Sequence, residues 1–260
     1  MSVSGAADNE NERRIVEEFL EEVRDTVNGM SVLVGNLRSK AVGTAEGLEA
    51  LRRETHNLRS QSQGLAQPLI KLVTHRLDEY VCDLKEIGPA ALDEIEIFIG
   101  KIEAFADGEA VSEDDIPGVV RSLPAKRTLI ADFGNIEKKN VEIMLVVSEK
   151  AMARIVEREL AACGYRTVTV RDPFEAMEMA VRTRPDMVVA AMELGVLSGV
   201  DLGCALAAMA ATSGIPYAVL TSYDWGNPKL KGLPPRAAII RKGAHFGDDL
   251  AETLNRFSIT

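Results

Sequence analysis

The periodicity of apolar residues changes near residue 140, and this change constrains the fold more than any other feature of the sequence. From about 12 to 108, apolar residues recur every three or four positions in a Leu-, Glu-, Arg- and Ala-rich background, which predicts helices only. After 140, amphipathic segments of helix length separate apolar runs of strand length, namely Ile143–Val147, Thr167–Val170, Met187–Ala191, Tyr217–Leu220 and Ala237–Ile240. This alternation predicts a doubly wound α/β domain whose five-stranded parallel sheet is covered on both faces.

Glycine and proline residues divide the helical half. The breaks at Gly43, at Gly64 with Pro68, and at Gly88 with Pro89 separate four predicted helices. These helices cover about 11–39, 46–63, 68–86 and 90–107. Because the connections are short and a proline suits the first turn of a helix, we expect an all-α antiparallel bundle.

The predicted organisation has two domains joined by a linker. The helical domain covers 12–108 and the α/β domain covers 141–260, with a disordered segment over 1–11. Between them, 109–140 contains three successive acidic residues, two prolines and no clear period, which predicts a linker with room for one short helix.

Composition narrows the classes of partner. The formal net charge of −10 over 260 residues disfavours binding to nucleic acid or to an anionic membrane, because like charges repel. The chain starts without a secretory signal pattern and has no apolar run near the roughly 20 residues of a membrane span, so we expect a cytoplasmic protein. Cys82, Cys163 and Cys204 form no CxxC pair, which predicts buried, reduced thiols and no metal site.

The second predicted helix carries one histidine on its polar face. Its apolar stripe has heptad-like spacing and consists of Leu48, Leu51, Thr55, Leu58, Ser62 and Leu65. His56 lies about 140° from the centre of this stripe, so we expect a solvent-exposed imidazole. Arg59 and Ser60 follow it three and four positions later and share this part of the surface. Arg59 suits the binding of phosphoryl oxygens, and Ser60 leaves room for an approaching partner.

The segment Thr55-His56-Asn57-Leu58-Arg59-Ser60-Gln61-Ser62 resembles the His-x-Leu-Lys-Gly-x-Ala pattern of histidine-containing phosphotransfer (HPt) domains, in particular those of chemotaxis-type kinases. The resemblance covers most of 12–108, although Arg59 replaces a lysine, and Ser60 and Ala66 replace glycines. It implies that His56 is a phosphoryl acceptor that exchanges its phosphoryl group with receiver-domain aspartates. It also implies that the partner receiver supplies Mg²⁺, so that this chain needs no cofactor of its own.

The helical half allows an alternative interpretation of His56 and contains a second histidine, His75. The core His56-Asn57-Leu58-Arg59-Ser60 also resembles the His-Glu-Leu-Arg-Ser/Thr core of sensor-kinase dimerisation domains, an alternative that predicts a homodimer of helical hairpins. His75 stands beside Arg76, Asp78 and Glu79 in no recognised motif, which predicts a solvated face. Because no phosphate-binding loop or glycine-rich kinase box occurs, we expect a phosphohistidine carrier without ATP-dependent kinase activity.

Residues 141–258 resemble the receiver domain of response regulators, which has a flavodoxin-like fold. Val141–Val147 is similar to its first strand, and Asp172-Pro173-Phe174-Glu175-Ala176 is similar to the start of its second helix. Arg184-Pro185-Asp186-Met187-Val188-Val189 is similar to the approach to the third strand. The resemblance therefore covers nearly the whole α/β half.

The same resemblance identifies a degenerate receiver site. It places Ala191 at the position of the phosphorylated aspartate, and Ser148 and Glu149 at the acidic pair that binds Mg²⁺. Thr221 and Lys242 match the hydroxyl and the lysine of the receiver switch. With at most one carboxylate left, this half is predicted to be a pseudo-receiver that cannot be phosphorylated.

An irregular segment, 222–235, replaces the fourth helix of the receiver pattern. Trp225 beside Tyr223 predicts a docking or dimerisation surface, and the alternative is that Trp225 covers the edge of the sheet. A small-molecule site at the carboxyl ends of the strands, where Ser148, Ala191 and Thr221 gather, is a further alternative.

The sequence as a whole predicts a phosphorelay signalling protein. Its expected partners are response-regulator receiver domains and a hybrid or sensor histidine kinase, while the receiver-like half regulates or docks. An alternative from a different class is a non-catalytic scaffold or inhibitor of two-component signalling, which Ala191 and the missing glycines near His56 favour. A dimeric adaptor derived from a sensor-kinase dimerisation domain is the third hypothesis.

Overall fold

The computed structural model describes residues 4–63, 67–126 and 139–259. The chain divides into two compact units. The helical unit comprises Met1–Ser112 with Ser122–Pro124, and the α/β unit comprises Glu113–Arg121 with Ala125–Thr260. Within the described ranges, no helix combines the length and the apolar character that crossing a membrane requires.

Four long helices of the described chain build the helical unit: α1 (Ser4–Arg38), α2 (Thr44–Ser62), α3 (Pro68–Asp83) and α4 (Pro89–Ala106). α1 packs on α2 and α4, and α3 packs on the same two helices. Buried side chains of α1 recur every three or four residues, which keeps one face toward the shared core. They are Phe19, Val23, Val27, Met30, Val34 and Leu37. The four predicted helices are thus present, while their antiparallel arrangement stays a prediction.

The ends of these helices lie close to the predicted breaks. Gly43 is the extended N-cap of α2, and Pro68 and Pro89 open α3 and α4, where a backbone N–H has no acceptor within the helix. α1 differs, because it begins at Ser4 although the sequence predicted a disordered segment over 1–11. Extending an existing helix into alanine- and glutamate-containing sequence needs no new nucleation, which accounts for the earlier start.

Part of the segment between the two halves packs within the α/β unit. It contains the short helix α5 (Ile116–Ser122). Arg184 binds Asp114 at 3.0 Å, and Arg121 contacts the Asp186 carboxylate at 3.3 Å. Residues 113–121 therefore belong to the α/β unit, although they lie within the linker predicted over 109–140.

Five parallel strands form the sheet of the α/β unit: β1 (Glu142–Val146), β2 (Arg166–Val170), β3 (Met187–Ala191), β4 (Tyr217–Thr221) and β5 (Ala238–Arg241). The intervening and following helices are α6 (Lys150–Ala162), α7 (Pro173–Thr183), α8 (Gly199–Ala208) and α9 (Phe246–Arg256). The strand order is β2-β1-β3-β4-β5, the order of flavodoxin-like folds. Every residue of β1, β3 and β4 is buried, which confirms the predicted parallel sheet with two covered faces.

All three cysteines are free and exposed, so the predicted burial of their thiols is wrong. Cys82 lies in the last turn of α3, and Cys163 caps the end of α6. Cys204 lies in α8, where its thiol donates to the carbonyl oxygen of Gly232 at 3.1 Å. These cysteines are exposed because they lie at helix ends or on the outer face of a helix. The apolar character of cysteine alone did not indicate this exposure.

Candidate functional site

His56 lies on α2 opposite the buried residues of that helix. Its side chain is 71% exposed, which confirms the exposure predicted from the helical wheel. The buried stripe contains Leu48, Leu51, Thr55, Leu58 and Ser62, as predicted, while Leu65 is outside the described residues. The core-facing stripe of α2 therefore holds the helix so that the imidazole projects into solvent.

Asp78 of α3 faces the histidine. Its side chain is only 7% exposed, and its Oδ1 lies 4.0 Å from Nδ1 of His56. With this carboxylate on the Nδ1 side, the second ring nitrogen, Nε2, is the one that an approaching group can reach. The arrangement pairs an accessible imidazole nitrogen with a buried anion.

Arg59 joins the same cluster. Its Nη1 donates to Oδ2 of Asp78 at 2.9 Å, and its side chain is 21% exposed. The thiol of Cys82 lies 3.7 Å from Oδ1 of Asp78. The partial loss of water around this exposed residue's sulfur, and then the negative charge of Asp78, raise the pKa of the thiol. Asp78 thus contacts or approaches three side chains, and the arginine expected to hold phosphoryl oxygens already binds a carboxylate.

Ser60 is exposed one turn after His56. Its hydroxyl donates to the main-chain carbonyl oxygen of His56 at 2.9 Å. This bond folds the hydroxyl back onto the helix, so the side chain remains compact beside the imidazole. Its assignment to the phosphotransfer site stays a prediction.

The sequence did not single out Asp78 as a functional residue. A signal was available, because Asp78 is four residues after Thr74 and three before Val81, both of which are buried. An acidic residue on the buried face of a helix requires a compensating partner. Identifying Arg59 and His56 as those partners required the packing of α3 on α2.

His75 corrects an expectation. It is 1% exposed, whereas a solvated face was predicted for it, and its Nε2 lies 3.6 Å from a carboxylate oxygen of Glu79. The reason is that α3 buries every residue from 72 to 78. The charged residues next to His75 in the sequence indicated an exposed position, but tertiary packing buries this part of α3.

The receiver-like site residues gather at the carboxyl edge of the sheet. Ala191 ends β3 and pairs with Leu220, and Thr221 ends β4 and pairs with Arg241. The backbone N–H of Lys242 donates to the carbonyl oxygen of Thr221 at 2.8 Å. Ser148 and Glu149, both exposed, follow β1 at the same edge, because parallel strands end on one side.

These residues do not fit the Mg²⁺ ion that receiver chemistry uses. Mg²⁺ prefers several oxygen ligands in octahedral geometry, usually with more than one carboxylate. Glu149 is the single carboxylate among the five residues that the sequence matched to the receiver site, Ser148, Glu149, Ala191, Thr221 and Lys242. In the described residues, no group of three or more His, Cys, Asp and Glu side chains is arranged to hold a metal ion.

The loop after β4 presents Trp225 to solvent. This side chain is 68% exposed, so the alternative in which it covers the sheet edge is wrong. Nearby, Lys229 donates to the hydroxyl of Tyr223 at 2.7 Å and lies over its ring. The irregular course predicted for 222–235 is confirmed, with only a short 3₁₀ turn at Pro228–Leu230.

An ion-pair network anchors this loop to the sheet and to α9. Arg241 binds both carboxylate oxygens of Asp249 at 2.8 Å, and it contacts Asp224 at 3.3 Å. Hydrogen bonds from Arg241 lower the pKa of Asp249 and those same bonds raise the pKa of Arg241. Asp224, the residue before Trp225, is therefore tied to β5 and α9 through Arg241.

The chain is similar to known proteins over part of its length. No family model matches the chain. The transcriptional regulatory protein PrrA of Mycobacterium leprae is 31% identical over 91 residues, which are 35% of this chain and 38% of that protein. The chain therefore spans well under half the length of this curated relative.

Solved receiver structures are also similar. The chemotaxis response regulator CheY4 of Vibrio cholerae has 20% identity and a TM-score of 0.40, covering 45% of this chain and 98% of its own. The receiver domain of a sensor histidine kinase from Pseudomonas aeruginosa has 21% identity and a TM-score of 0.41, with the same coverage. The strand order described above gives the α/β unit a flavodoxin-like fold.

Proposed function

We propose that this chain is a phosphorelay protein in which His56 accepts a phosphoryl group from a receiver aspartate and passes it to another. The observation that carries the proposal is the 71% exposed imidazole, whose Nδ1 side faces the buried carboxylate of Asp78. Sensor or hybrid histidine kinases stand upstream in such a relay. The chain acts in the cytoplasm, where these partners meet.

The chemistry requires one nucleophilic nitrogen. Nε2 of neutral His56 attacks the phosphorus of an aspartyl phosphate, a phosphorus–nitrogen bond forms, and the aspartate carboxylate leaves with the electrons of the broken phosphorus–oxygen bond. The imidazole becomes more positive as this bond forms, and the negative charge of Asp78 on the Nδ1 side stabilises it. The partner receiver supplies Mg²⁺ and the acidic cluster, so no metal ligand is needed on α2.

The test compares three forms of the chain that differ at two histidine positions. The full-length chain is incubated with a receiver phosphorylated by radiolabelled acetyl phosphate, and acid-labile label is measured on wild type, His56→Gln and His245→Gln. We expect label on wild type and on His245→Gln. His245 is the matched control, because it is also an exposed histidine but lies in the α/β unit. Transfer that survives in His56→Gln contradicts the proposal.

We also propose that the receiver-like unit is not itself phosphorylated. Ala191 at the end of β3 offers no carboxylate, and Glu149 is the single acid among the five residues matched to the receiver site. Acetyl phosphate with Mg²⁺ is expected to leave the α/β unit unmodified by mass spectrometry of the full chain. A stoichiometric phosphoryl adduct on 141–260 would contradict this part of the proposal without affecting the proposed role of His56.

A scaffold or inhibitor function is the second candidate, favoured by the exposed side chain of Trp225 next to a degenerate site. In that case, receivers bind with and without His56, and no receiver transfers label. A kinase-derived dimeric adaptor predicts a stable dimer in light scattering. Binding titrations of receivers with wild type and with His56→Gln, compared with the labelling results, distinguish a phosphoryl carrier from a scaffold.

A further inference from the structure

α2 carries three arginines, and their environments differ. Arg59 is paired with Asp78, and Arg52 is bound to Glu49 at 2.5 Å and to the carbonyl oxygen of Leu84 at 2.6 Å. Arg53 is exposed and, within the part of the chain that the structure describes, forms neither a hydrogen bond nor an ion pair. Arg53 is therefore the cation of α2 that a partner can engage without breaking a bond.

Arg53 is also well placed relative to the histidine. It lies three residues before His56, which makes the two side chains neighbours on the helix surface. Helical side chains lean toward the N-terminus, so the imidazole leans over the turn that carries Arg53. A phosphoryl group approaching Nε2 therefore comes within the reach of a long, unpaired guanidinium.

We propose that Arg53, and not Arg59, meets the negative charge of the incoming phosphoryl donor, while Arg59 positions Asp78. This inference rests on the proposed phosphotransfer at His56. Engaging Arg59 requires breaking its ion pair and leaving the Asp78 carboxylate, which is 7% exposed, without its cation. Arg53 gains charge-assisted hydrogen bonds to phosphoryl or carboxylate oxygens at no such cost.

The overall charge strengthens the argument. A chain of net charge −10 repels the acidic site of a receiver at long range, so a local cation beside His56 offsets that repulsion where the two proteins meet. Charges that act in this way change the association rate and its dependence on salt. Replacing the residue that meets the donor should therefore change how the transfer rate depends on salt. Replacing a residue with a purely structural role should leave that salt dependence unchanged.

The experiment uses the full chain and the host receiver that labels it fastest. The second-order rate constant of transfer to His56 is measured at ionic strengths of about 0.01 M and about 1 M, where the screening length falls from about 30 Å to about 3 Å. The variants are Arg53→Gln, Arg59→Gln and Arg13→Gln. Arg13 is the matched control, because it is an exposed arginine on α1 whose replacement removes the same charge.

We expect Arg53→Gln to lower the rate constant about tenfold at low salt and less than twofold at high salt. Arg59→Gln should keep the salt dependence of wild type and lower the thermal midpoint, as a positioning role requires. If Arg53→Gln matches Arg13→Gln at both salt concentrations, the inference is overturned. It is also overturned if Arg59→Gln abolishes the salt dependence.

Failure of the underlying function gives a different result. If no host receiver labels the wild-type chain, or if His56→Gln keeps the label, the proposed phosphotransfer is wrong and the role of Arg53 falls with it. If wild type is labelled on His56 and Arg53→Gln is unaffected, the role of Arg53 alone is wrong. Circular dichroism of Arg53→Gln and Arg13→Gln verifies that both remain folded.

Discussion

Asp78 illustrates how a single buried charge organises this site. Its carboxylate binds Arg59 and lies 4.0 Å from Nδ1 of His56, while its own side chain is only 7% exposed. A buried anion needs compensation, and here the compensating cation comes from the neighbouring helix. The chemistry proposed for His56 therefore depends on the packing of α3 against α2.

Asp78→Asn is expected to lower the free energy of unfolding by about 2 kcal/mol, because it removes the ion pair with the partly buried guanidinium of Arg59. Urea denaturation followed by circular dichroism measures the change. Asp25→Asn serves as the control, since Asp25 is exposed on α1, and it should stay within about 0.5 kcal/mol of wild type. Equal effects of the two variants would show that the Asp78 pair does not stabilise the unit.

The Arg241–Asp249 pair predicts a dependence of stability on pH. Hydrogen bonds from Arg241 lower the pKa of Asp249 below its ordinary value near 3.8. A carboxyl group with a lowered pKa stabilises the fold above that ordinary value, and the contribution is lost as the pH falls through the folded-state pKa. Arg241→Gln should therefore lower the thermal midpoint at pH 7 and have a smaller effect at about pH 3.

Thermal unfolding of wild type and Arg241→Gln at the two pH values checks this prediction. Lys231→Gln removes a charge from an exposed residue of the neighbouring loop and is the control. A difference that stays constant, or grows, on acidification contradicts the assigned linkage.

At the scale of elements, close packing places α8 on the sheet. A Cβ atom at Gly203 would lie 2.6 Å from the ring of Tyr217. The Tyr217 hydroxyl donates to the carbonyl oxygen of Gly199 at 2.5 Å, and burial raises the pKa of this phenol. The absence of a side chain at Gly203 thus lets α8 approach β4, and the main chain of Gly199 accepts the tyrosine hydroxyl.

Gly203→Ala is expected to cost about 1–3 kcal/mol of stability, because steric overlap with Tyr217 exceeds the gain in helix propensity. Gly100→Ala in α4 is the matched control, since a Cβ there meets no atom within 4 Å. That variant should stabilise the chain by about 0.5–1 kcal/mol. Denaturant titrations compare the two, and a stabilising Gly203→Ala would refute the packing argument.

At the scale of the whole molecule, the α/β unit includes residues upstream of its first strand. Lys126 binds Glu157 at 2.8 Å, with both side chains largely buried, and Glu157 also accepts a hydrogen bond from Thr169. Arg121 and Asp114 add contacts to Asp186 and Arg184, which lie just before β3. A fragment cut at the strand-based boundary of 141 leaves Glu157 without its cation.

A fragment of residues 113–260 is therefore expected to be more stable than one of residues 141–260 by about 3 kcal/mol, the typical cost of removing one partner of a buried ion pair. Urea denaturation of the two purified fragments measures the difference. Glu157→Gln in each fragment is the control, because it removes the unpaired charge and should narrow the gap. Fragments of equal stability would show that 113–126 contributes nothing to this unit.

Local pattern alone determined the helices and strands, the exposure of His56 and the position of Ala191 at the end of β3. Each of these depends on residues close in sequence, through a periodicity of 3.6 or 2 and through glycine and proline breaks. Tertiary structure alone decided the pairing of Asp78 with Arg59, the burial of His75 and the place of 113–121 in the α/β unit. Those outcomes depend on contacts between residues far apart in the chain, because burial and charge compensation are set by whichever surface packs opposite.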